Sequence, residues 1–232
     1  MRVVEHEEID NVYWVEFDEK KKRLATENLS PGNKVYDEQL VEFQGTEYRI
    51  WDPYRSKLAA SILRGIQEVP VKEGQNILYL GAASGTTVSH ISDMIGSNGM
   101  IYCIEISSRS LRDLLMVCEK RNNIAPILAD ATREEDYHSL VEQADLIYQD
   151  VAHPEQTNIA LENSKSFLKE EGKLLVAMKA RSIDVTKEPR EIFRGEMEKL
   201  EKELEILDSK LLDPYSKDHA MILLQKSEKP KD

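Results

Sequence analysis

The stretch 77-ILYLGAASGTT-87 decides the fold of this chain, because it predicts a buried strand that turns directly into a helix. Four apolar residues are followed by a run of small ones, and we expect the helix to begin near Thr86. Gly81 and Gly85 lack a Cβ atom, so the backbone can turn sharply there and come close to a ligand. The helix N-terminus then directs free N–H groups at that ligand. The stretch therefore predicts a corner that suits a nucleotide-like molecule.

The spacing of the two glycines distinguishes this corner from a dinucleotide-binding turn. The chain has G-x-x-x-G, whereas the dinucleotide fingerprint is G-x-G-x-x-G, in which the second glycine makes room for a pyrophosphate. A cofactor with a carboxylate and no phosphates fits the looser turn, and S-adenosylmethionine is the common example. Spacing alone leaves open an ordinary strand–glycine–helix corner that binds no cofactor.

Composition predicts a globular protein that lies outside the membrane. The chain has 232 residues, of which 41% are hydrophobic and 32% charged, which fits one α/β domain with a small appendage. No apolar run approaches the roughly 20 residues of a membrane helix. The N-terminal segment lacks the apolar core of a signal peptide, and the histidines and cysteines have no metal-ligand spacing. We therefore expect a cytoplasmic protein without a metal.

The net charge of -12 opposes unaided binding to nucleic acid, because phosphate contacts depend on Lys and Arg. If the substrate is RNA, another component must bring it to the protein.

The N-terminal segment predicts a small β-hairpin domain over residues 1–52. Residues 12–17 read as a strand, and two short apolar runs meet across a turn within 41–50. Asp52 resembles a helix N-cap followed by Pro53 at the first helical position. We therefore expect a domain boundary near residue 52 and a second domain over 53–232.

The second domain alternates strands and helices, which predicts an α/β fold with a mostly parallel sheet covered on both faces. A long charged helix over 188–205 is expected to be largely exposed, and the last two strands predict an antiparallel hairpin at the sheet edge. The predicted strands are 76–80, 100–105, 125–129, 145–149, 173–178, 207–212 and 219–225, and the other helices are 86–95, 108–121 and 156–168.

Acidic residues stand at the ends of three successive strands. Glu105 ends the second strand of this domain, and Asp130 and Asp150 follow the third and fourth. Ligands of open α/β sheets bind at this edge. A carboxylate after the second strand can accept ribose hydroxyls, and one after the third can accept an adenine amino hydrogen. Capping or solvation explains any single acid, but three in register with the glycine turn favour nucleoside binding.

Three further residues extend this edge. Asp150 continues into 151-VAHPEQ-156, which reads as a turn into a helix with Pro154 at an early helical position. Lys179 ends an apolar strand, where its ammonium needs a partner or water, and we expect it to pair with Asp150. His219 opens the last strand. A lysine reaching solvent and a surface histidine are the alternative interpretations.

With these residues in place, the chain resembles the fibrillarin family of the archaeal type, the methyltransferases of box C/D ribonucleoproteins. The resemblance covers nearly the whole chain and is carried by 51-WDPYRSKLAA-60, 80-LGAASGTTVS-89, 150-DVA-152, 178-MKA-180 and 214-PYSKDH-219. It implies a Rossmann-like methyltransferase domain dependent on S-adenosylmethionine. Eukaryotic relatives carry a Gly/Arg-rich N-terminal arm, whereas here the hairpins begin at once, so we expect an archaeal-like cytoplasmic setting.

The resemblance also implies an activity and its partners. The activity is 2′-O-methylation of ribose in ribosomal RNA, and in some cases transfer RNA, at positions chosen by a base-paired box C/D guide RNA. A Nop-domain scaffold protein would hold the methyltransferase, and a kink-turn-binding protein would anchor the guide. Such a particle explains how an acidic enzyme meets an RNA substrate.

The family pattern assigns site residues to this sequence. The catalytic tetrad would be Lys57, Asp150, Lys179 and His219. The cofactor contacts would be the loop residues Gly81, Ala82, Ala83, Gly85, Thr86 and Thr87, then Glu105 and Ile106 at the ribose, Asp130 and Ala131 at the adenine, and Asp150, Val151, Ala152 and His153 closing the pocket. Relatives usually carry glutamine at the position of His153, and an ionisable ring there would make cofactor affinity dependent on pH.

In the expected mechanism, the protein aligns the 2′-oxygen with the methyl group and assists the removal of the hydroxyl proton. We expect Asp150 to hold Lys179, which either accepts the proton or stabilises the developing alkoxide, while Lys57 and His219 position the ribose. A protonated lysine is a poor base, so electrostatic stabilisation is the simpler role. Two alternatives stay open: an O-methyltransferase acting alone on a small molecule, and a non-catalytic assembly protein with a vestigial cofactor fold.

Overall fold

The N-terminal sheet of the protein is antiparallel throughout. The computed structural model describes residues 1–18 and 21–226, and the first of its two sheets has the strand order β1-β2-β3-β5-β4. Its strands are β1 (Arg2–Glu5), β2 (Tyr13–Asp18), β3 (Lys21–Glu27), β4 (Leu40–Phe43) and β5 (Thr46–Ile50). The predicted strand at 12–17 and the hairpin within 41–50 are therefore confirmed.

The second sheet has seven strands in the order β11-β12-β10-β9-β6-β7-β8. Five neighbouring strands, β10, β9, β6, β7 and β8, run parallel to one another. Strand β12 is antiparallel to its two neighbours, β10 and β11. The predicted antiparallel hairpin at the sheet edge is thus confirmed. The strands are β6 (Asn76–Leu80), β7 (Met100–Glu105), β8 (Ile124–Leu128), β9 (Ala144–Gln149), β10 (Leu168–Lys179), β11 (Leu204–Leu211) and β12 (His219–Lys226).

Helices connect these strands and cover the sheet. They are α1 (Lys57–Leu63), α2 (Thr86–Ile95), α3 (Ser108–Cys118), α4 (Gln156–Phe167), α5 (Ala180–Ile183) and α6 (Pro189–Leu200), with single 3₁₀ turns at Glu134–Asp136 and His138–Leu140. Helix α3 ends three residues before the predicted end at 121. Within the described ranges, no helix has the length and apolar character needed to span a membrane.

The apolar side chains of β6, an inner strand of the second sheet, divide between the two faces of the sheet. Ile77 and Tyr79 belong to one buried cluster, whereas Leu78 and Leu80 belong to the other, because successive strand residues point to opposite faces. Burial on both faces explains why the strand reads as a continuous apolar run. The predicted α/β fold with a covered, mostly parallel sheet is confirmed.

The first apolar cluster also joins the two sheets. It contains Trp14 and Leu24 of the N-terminal sheet together with Ile91 of α2. Because one cluster includes residues from both sides of residue 52, the domain division at that residue stays a prediction. Residues 227–232 of the predicted second domain lie outside the described part of the chain.

The predicted cap at Asp52 is wrong. The Asp52 carboxylate accepts a hydrogen bond from the Tyr54 backbone N–H at 2.9 Å, which closes a local turn instead of beginning a helix. Helix α1 begins at Lys57, and its N-cap is Ser56, whose hydroxyl accepts from the Ala59 N–H. Two potential cap residues stand close together in this sequence, and the later one caps the helix.

The predicted length of helix 188–205 is also wrong, whereas more than half of these residues are exposed, as expected. Helix α6 ends at Leu200, and the chain re-enters the sheet at Leu204. Its buried residues recur at helical spacing and include Ile192, Phe193 and Glu196. The Glu196 carboxylate accepts from the hydroxyl of Thr157 at 2.6 Å, which compensates its burial. The high charge of the exposed face obscured this narrow apolar stripe.

Candidate active site

The site lies where the strand order reverses around β6. The chain runs from β6 outward through β7 to β8 and then returns to β9 on the other side of β6. A crevice forms at the carboxyl ends of the strands at such a switch point. The turn after β6 and the residue after β9, Asp150, therefore face each other.

The turn after β6 needs glycine at its first position. Gly81 has φ +81°, and a Cβ built on it would lie 2.6 Å from the carbonyl oxygen of Asp150. The two segments are held together at this point, because the Asp150 N–H donates to the carbonyl oxygen of Leu80 at 2.8 Å. Any side chain at residue 81 would separate the turn from the end of β9.

Glu105 holds the same turn from the other side. One carboxylate oxygen accepts from the N–H of Ala83 and the other from the N–H of Ser107, each at 2.7 Å. The residue is only 7% exposed. Each carboxylate oxygen has a second lone pair, so Glu105 can fix the loop and still accept a hydroxyl of a ligand.

A cavity of about 280 Å³ opens beside these residues. Acceptors and apolar side chains dominate its lining, and no Lys or Arg is among the described residues that form it. It is lined by Gly81, Ala83, Ile104, Glu105, Ile106, Ala129, Asp130, Ala131, Thr132, Asp150, Val151, Ala152, His153 and Ile159. Carboxylates accept hydroxyl and amino hydrogens, whereas a phosphate would need cations or free N–H groups. The donor and acceptor set thus fits a nucleoside without phosphates.

Asp130 is fixed in its ionised form at the cavity wall. Its Oδ1 accepts from the N–H and the hydroxyl of Thr132, at 2.9 and 2.8 Å. These hydrogen bonds lower the pKa of the Asp130 carboxyl below its ordinary value. The second oxygen of this carboxylate can accept a ligand hydrogen.

Four of the predicted cofactor residues shape the loop without lining this cavity. Ala82 is buried, and Gly85 has φ +93° and packs so closely that an added Cβ would lie 2.9 Å from Leu114 of α3. Thr86 is the first residue of α2. Thr87 is buried and donates its hydroxyl to the Ser56 hydroxyl at 3.0 Å. This last bond ties the cofactor loop to the start of α1.

Lys57 and Asp150 form an ion pair at the mouth of the site. The Lys57 ammonium lies 2.8 and 2.9 Å from the two carboxylate oxygens. The side chains are 26% and 21% exposed, so the pair is partly shielded from water. Lys57 is the first residue of α1 and is therefore positioned by its Ser56 cap and, through it, by Thr87.

Lys179 and His219 stand opposite each other in the antiparallel ladder between β10 and β12. The expected pairing of Lys179 with Asp150 is wrong, because Asp150 is paired with Lys57 and Lys179 forms no ion pair within residues 1–18 and 21–226. The electrostatic environment of His219 includes all three charges. The structure thus brings the four predicted residues together as two neighbouring pairs.

The ring of His219 is held in one tautomer. Its Nδ1 lies 2.6 Å from the carbonyl oxygen of Lys217, and a carbonyl can only accept, so Nδ1 carries the hydrogen. Burial lowers the pKa of this imidazole below 6.5, and Lys57 and Lys179 lower it further, against the opposing effects of the Lys217 carbonyl and Asp150. The neutral ring therefore leaves Nε2 as a hydrogen-bond acceptor.

Gln156 is a site residue that sequence reasoning missed. Its side-chain amide accepts from the N–H of Lys179 at 2.9 Å and donates to the carbonyl oxygen of the same residue at 3.0 Å. Gln156 is fully buried and also donates to the carbonyl oxygen of His153. No spacing in the sequence indicates this contact, since it joins the start of α4 to the end of β10.

His153 lines the cavity, and its Nδ1 accepts from the Glu155 N–H at 3.1 Å. The expected early helical position of Pro154 is wrong, because α4 begins at Gln156 and Glu155 occupies its N-cap position. The side chain of His153 and that of Gln156 thus organise the turn that leads from β9 into α4.

The sequence and the fold of this chain are similar to those of proteins of a known family. The family model described as Fibrillarin matches residues 3–228. A fibrillarin-like rRNA/tRNA 2′-O-methyltransferase of Methanopyrus kandleri is 52% identical over 221 residues, which is 95% of each chain.

Solved structures also show similarity to fibrillarins. Fibrillarin of Aeropyrum pernix, in complex with natively bound S-adenosyl-L-methionine, aligns with a TM-score of 0.91 and 51% identity over 97% of this chain and 98% of that one. The fibrillarin of a fibrillarin/Nop5p complex aligns with a TM-score of 0.86 and 40% identity over 96% and 100%. The fold is therefore that of an S-adenosylmethionine-dependent methyltransferase, and this chain belongs to the fibrillarin family.

Proposed function

We propose that this chain is the catalytic subunit of a box C/D ribonucleoprotein and methylates the 2′-oxygen of ribose in ribosomal RNA and transfer RNA. The observation that carries the proposal is the meeting of the Lys57–Asp150 ion pair with Lys179 and His219 beside a nucleoside-sized cavity. The rRNA/tRNA 2′-O-methyltransferase of Methanopyrus kandleri supports the same reaction.

The cavity fits S-adenosylmethionine. Glu105 would accept the ribose hydroxyls, Asp130 would accept an amino hydrogen of the adenine, and the N-terminus of α2 would face the carboxylate of the methionine. When bound, this cofactor supplies an activated methyl group on a good leaving group. The bound cofactor in the Aeropyrum pernix relative supports this assignment.

Residues of this chain would position and activate the 2′-hydroxyl of the substrate. The Lys179 ammonium would stabilise negative charge that develops on the 2′-oxygen. Nε2 of His219 is available as an acceptor for the hydroxyl proton, because Nδ1 is already occupied by the Lys217 carbonyl. The Lys57–Asp150 pair would position the ribose. These roles are our assignment and replace the expected Lys179–Asp150 couple.

The net charge of -12 opposes direct binding of RNA by this chain. Partner molecules would therefore bring the RNA to the active site. The relative solved in a complex with Nop5p supports a Nop-domain scaffold protein as a direct partner. We further propose a kink-turn-binding protein and a box C/D guide RNA in the same particle. The Methanopyrus kandleri and Aeropyrum pernix relatives support the expected archaeal cytoplasmic setting.

Two measurements test the proposed function. Equilibrium binding of S-adenosylmethionine to the purified chain distinguishes an enzyme from a vestigial assembly protein, for which no binding is expected. A reconstituted particle with a radiolabelled methyl donor should then label a target RNA only when the complementary guide is present. A matched target with a 2′-deoxy sugar at the selected nucleotide should stay unlabelled. Methylation of a small molecule without RNA, together with an unlabelled target, would contradict the proposal.

A further inference from the structure

The hydroxyl groups of Thr87 and Ser56 form a buried contact between the cofactor loop and helix α1. Thr87 donates to Ser56 at 3.0 Å, and the two residues are 6% and 2% exposed. A hydrogen bond is electrostatically stronger where water is excluded. The two residues lie 31 positions apart in the sequence, so this bond fixes two distant segments relative to each other.

Thr87 belongs to the cofactor side of this contact. It is the second residue of α2, whose N-cap is Gly85, a residue without a side chain that could cap the helix. The first N–H groups of a helix have no partner within it, so the N–H of Thr87 would face the carboxylate of the methionine. One residue would thus meet the proposed cofactor with its main chain and hold α1 with its side chain.

Ser56 belongs to the substrate side of the contact. Its hydroxyl caps α1 and accepts from the Ala59 N–H at 3.4 Å, so both of its lone pairs are used when Thr87 donates as well. Lys57 follows directly as the first residue of α1. The direction in which the Lys57 side chain leaves the helix therefore depends on a cap that Thr87 holds in place.

The ammonium of Lys57 is also held by a residue of the cofactor site. It lies 2.8 Å from Asp150, and Asp150 lines the cavity proposed to bind the cofactor. The Asp150 N–H in turn donates to the carbonyl oxygen of Leu80, directly before the glycine turn. The backbone and the ammonium of Lys57 are thus both fixed to the cofactor site, so a ligand that orders this site also orders Lys57.

From this arrangement we propose that Ser56 and Thr87 are positioning residues that couple the binding of S-adenosylmethionine to the binding of the target ribose. The bound cofactor would hold Thr87 and, through Ser56, align Lys57 with the ribose. Such coupling is reciprocal, so the bound target raises the affinity for the cofactor by the same factor. The proposal rests on the function proposed above and deepens it, because the target nucleotide would be held firmly only when the methyl donor is in place.

Four variants separate the hydroxyl contact from the stability of α1. Thr87→Val removes the hydroxyl and keeps the branched shape of the side chain, and Ser56→Ala removes the acceptor. Thr87→Ser keeps the hydroxyl. Ser61→Ala is the matched control, because Ser61 is also a buried serine of α1 but donates within the helix, to the Leu58 carbonyl oxygen at 2.8 Å.

The experiment uses the reconstituted particle with its guide RNA and measures the dissociation constant of S-adenosylhomocysteine with and without the complementary target. This probe keeps the adenosine and the carboxylate but has no methyl group to transfer, so the measurement is made at equilibrium. In the wild type, the target should lower the dissociation constant about fivefold or more, as is typical of coupled sites.

The variants should divide into two groups. In Thr87→Val and Ser56→Ala, the effect of the target should fall to less than about twofold, because the contact that carries the coupling is lost. Thr87→Ser and Ser61→Ala should keep the wild-type factor. The double variant Thr87→Val/Ser56→Ala should show the same factor as either single variant, since each already removes the same bond.

The outcomes distinguish this proposal from the proposed function. A wild-type factor of one, or an unchanged factor in Thr87→Val or in Ser56→Ala, would refute the coupling. Equal losses in these variants and in Ser61→Ala would also refute it, because they would reflect a disturbed α1 and not the hydroxyl pair. A wild-type particle that shows the factor but transfers no methyl group from S-adenosylmethionine would refute the proposed function and leave the coupling standing.

Discussion

At the scale of single residues, the four tetrad members differ in what they can give to a hydroxyl. Lys57 and Lys179 carry ammonium groups that only donate hydrogen bonds, and the Asp150 carboxylate is occupied by Lys57. His219 alone combines a fixed Nδ1 donor with an open Nε2 acceptor. The geometry therefore separates charge stabilisation, which suits Lys179, from proton acceptance, which suits His219.

Replacement of Lys179 tests the first of these roles. We expect Lys179→Ala to lower kcat by about 100-fold or more, because loss of one group that stabilises developing charge has an effect of this size. Binding of S-adenosylmethionine should change little, since Lys179 does not line the cofactor cavity. Single-turnover methylation and equilibrium binding check both expectations. Lys187→Ala is the control, because that side chain is 65% exposed and its ammonium lies 3.8 Å from the carboxylate of Asp184.

The pH dependence of activity tests the second role. The pKa of His219 is lowered below 6.5, chiefly by burial, so the neutral, accepting form dominates at neutral pH. Activity should therefore be constant near pH 7 and decline only as the pH falls below 6.5. The profile of kcat/KM against pH for the particle measures this, and the decline should disappear from the residual activity of His219→Asn. A decline centred above pH 6.5 would show that another group carries the proton.

At the scale of helices and strands, the sequence predicted what depends on local periodicity. The alternation of apolar segments located every strand of the second sheet to within three residues, except that β10 begins five residues before its predicted start. The acids Glu105 and Asp130 were correctly placed at or just after strand ends. It could not predict which side chains meet across elements. The Asp150 partner, the Ser56 cap and the Gln156 contact all depend on the relative position of two distant segments, which leaves no trace in spacing.

The contact between α4 and β10 predicts a positioning role for Gln156. Because its amide holds both backbone groups of Lys179, Gln156→Leu should displace the Lys179 ammonium. A displacement of about 1 Å in a catalytic group can lower the rate by roughly 100-fold. We expect a fall in kcat with the KM for S-adenosylmethionine nearly unchanged, measured by steady-state kinetics at saturating RNA.

A matched control distinguishes positioning from stability. Gln143 also donates through its side chain to a backbone carbonyl, that of Ser166 at 3.1 Å, but at an exposed site. Gln143→Leu should leave kcat unchanged. Gln156→Glu keeps the acceptor for the Lys179 N–H and should recover part of the lost kcat. Equal losses in kcat for Gln156→Glu and Gln156→Leu at equal folded fractions would argue against the positioning role.

At the scale of the whole molecule, buried charges connect the N-terminal sheet to the methyltransferase sheet. Asp93 of α2 binds Arg49 of β5 at 2.8 Å and also pairs with Arg121. The side chains of Asp93 and Arg49 are fully buried. Asp93→Asn would remove the carboxylate that pairs with buried Arg121, whereas Arg49 would keep its buried pair with Glu38.

The expected effect of Asp93→Asn is a loss of about 3–5 kcal/mol in the free energy of unfolding, the range observed when one partner of a buried ion pair is removed. Denaturant unfolding measures it. Glu135→Gln is the control, since the Glu135–Arg133 pair is exposed and its atoms lie 3.7 Å apart. Exposed pairs contribute roughly 0–1 kcal/mol. Equal effects of the two substitutions would show that the network does not hold the sheets together.

His90 makes the same interface sensitive to acid. It is fully buried, stacks on Trp51 with ring centroids 4.6 Å apart, and exchanges hydrogen bonds with Thr26 and Tyr36. Burial, together with the charges of Arg49 and Arg121, places its pKa well below the ordinary 6.5. The unfolded chain therefore binds a proton below pH 6.5 that the folded chain excludes.

Stability should consequently be greatest above pH 6.5 and fall as the pH decreases below it, by up to about 1.4 kcal/mol per pH unit for this group until its folded pKa is reached. His219 adds to the same trend, because its pKa is lowered as well. Unfolding free energies between pH 7.5 and 5 measure the slope above the range in which carboxylates titrate. His90→Gln keeps a donor and an acceptor but does not titrate, so it should be less stable than wild type at pH 7.5 and show a flatter slope below 6.5. A slope unchanged by His90→Gln would assign the acid sensitivity to other groups and would leave the buried imidazole with a purely structural role.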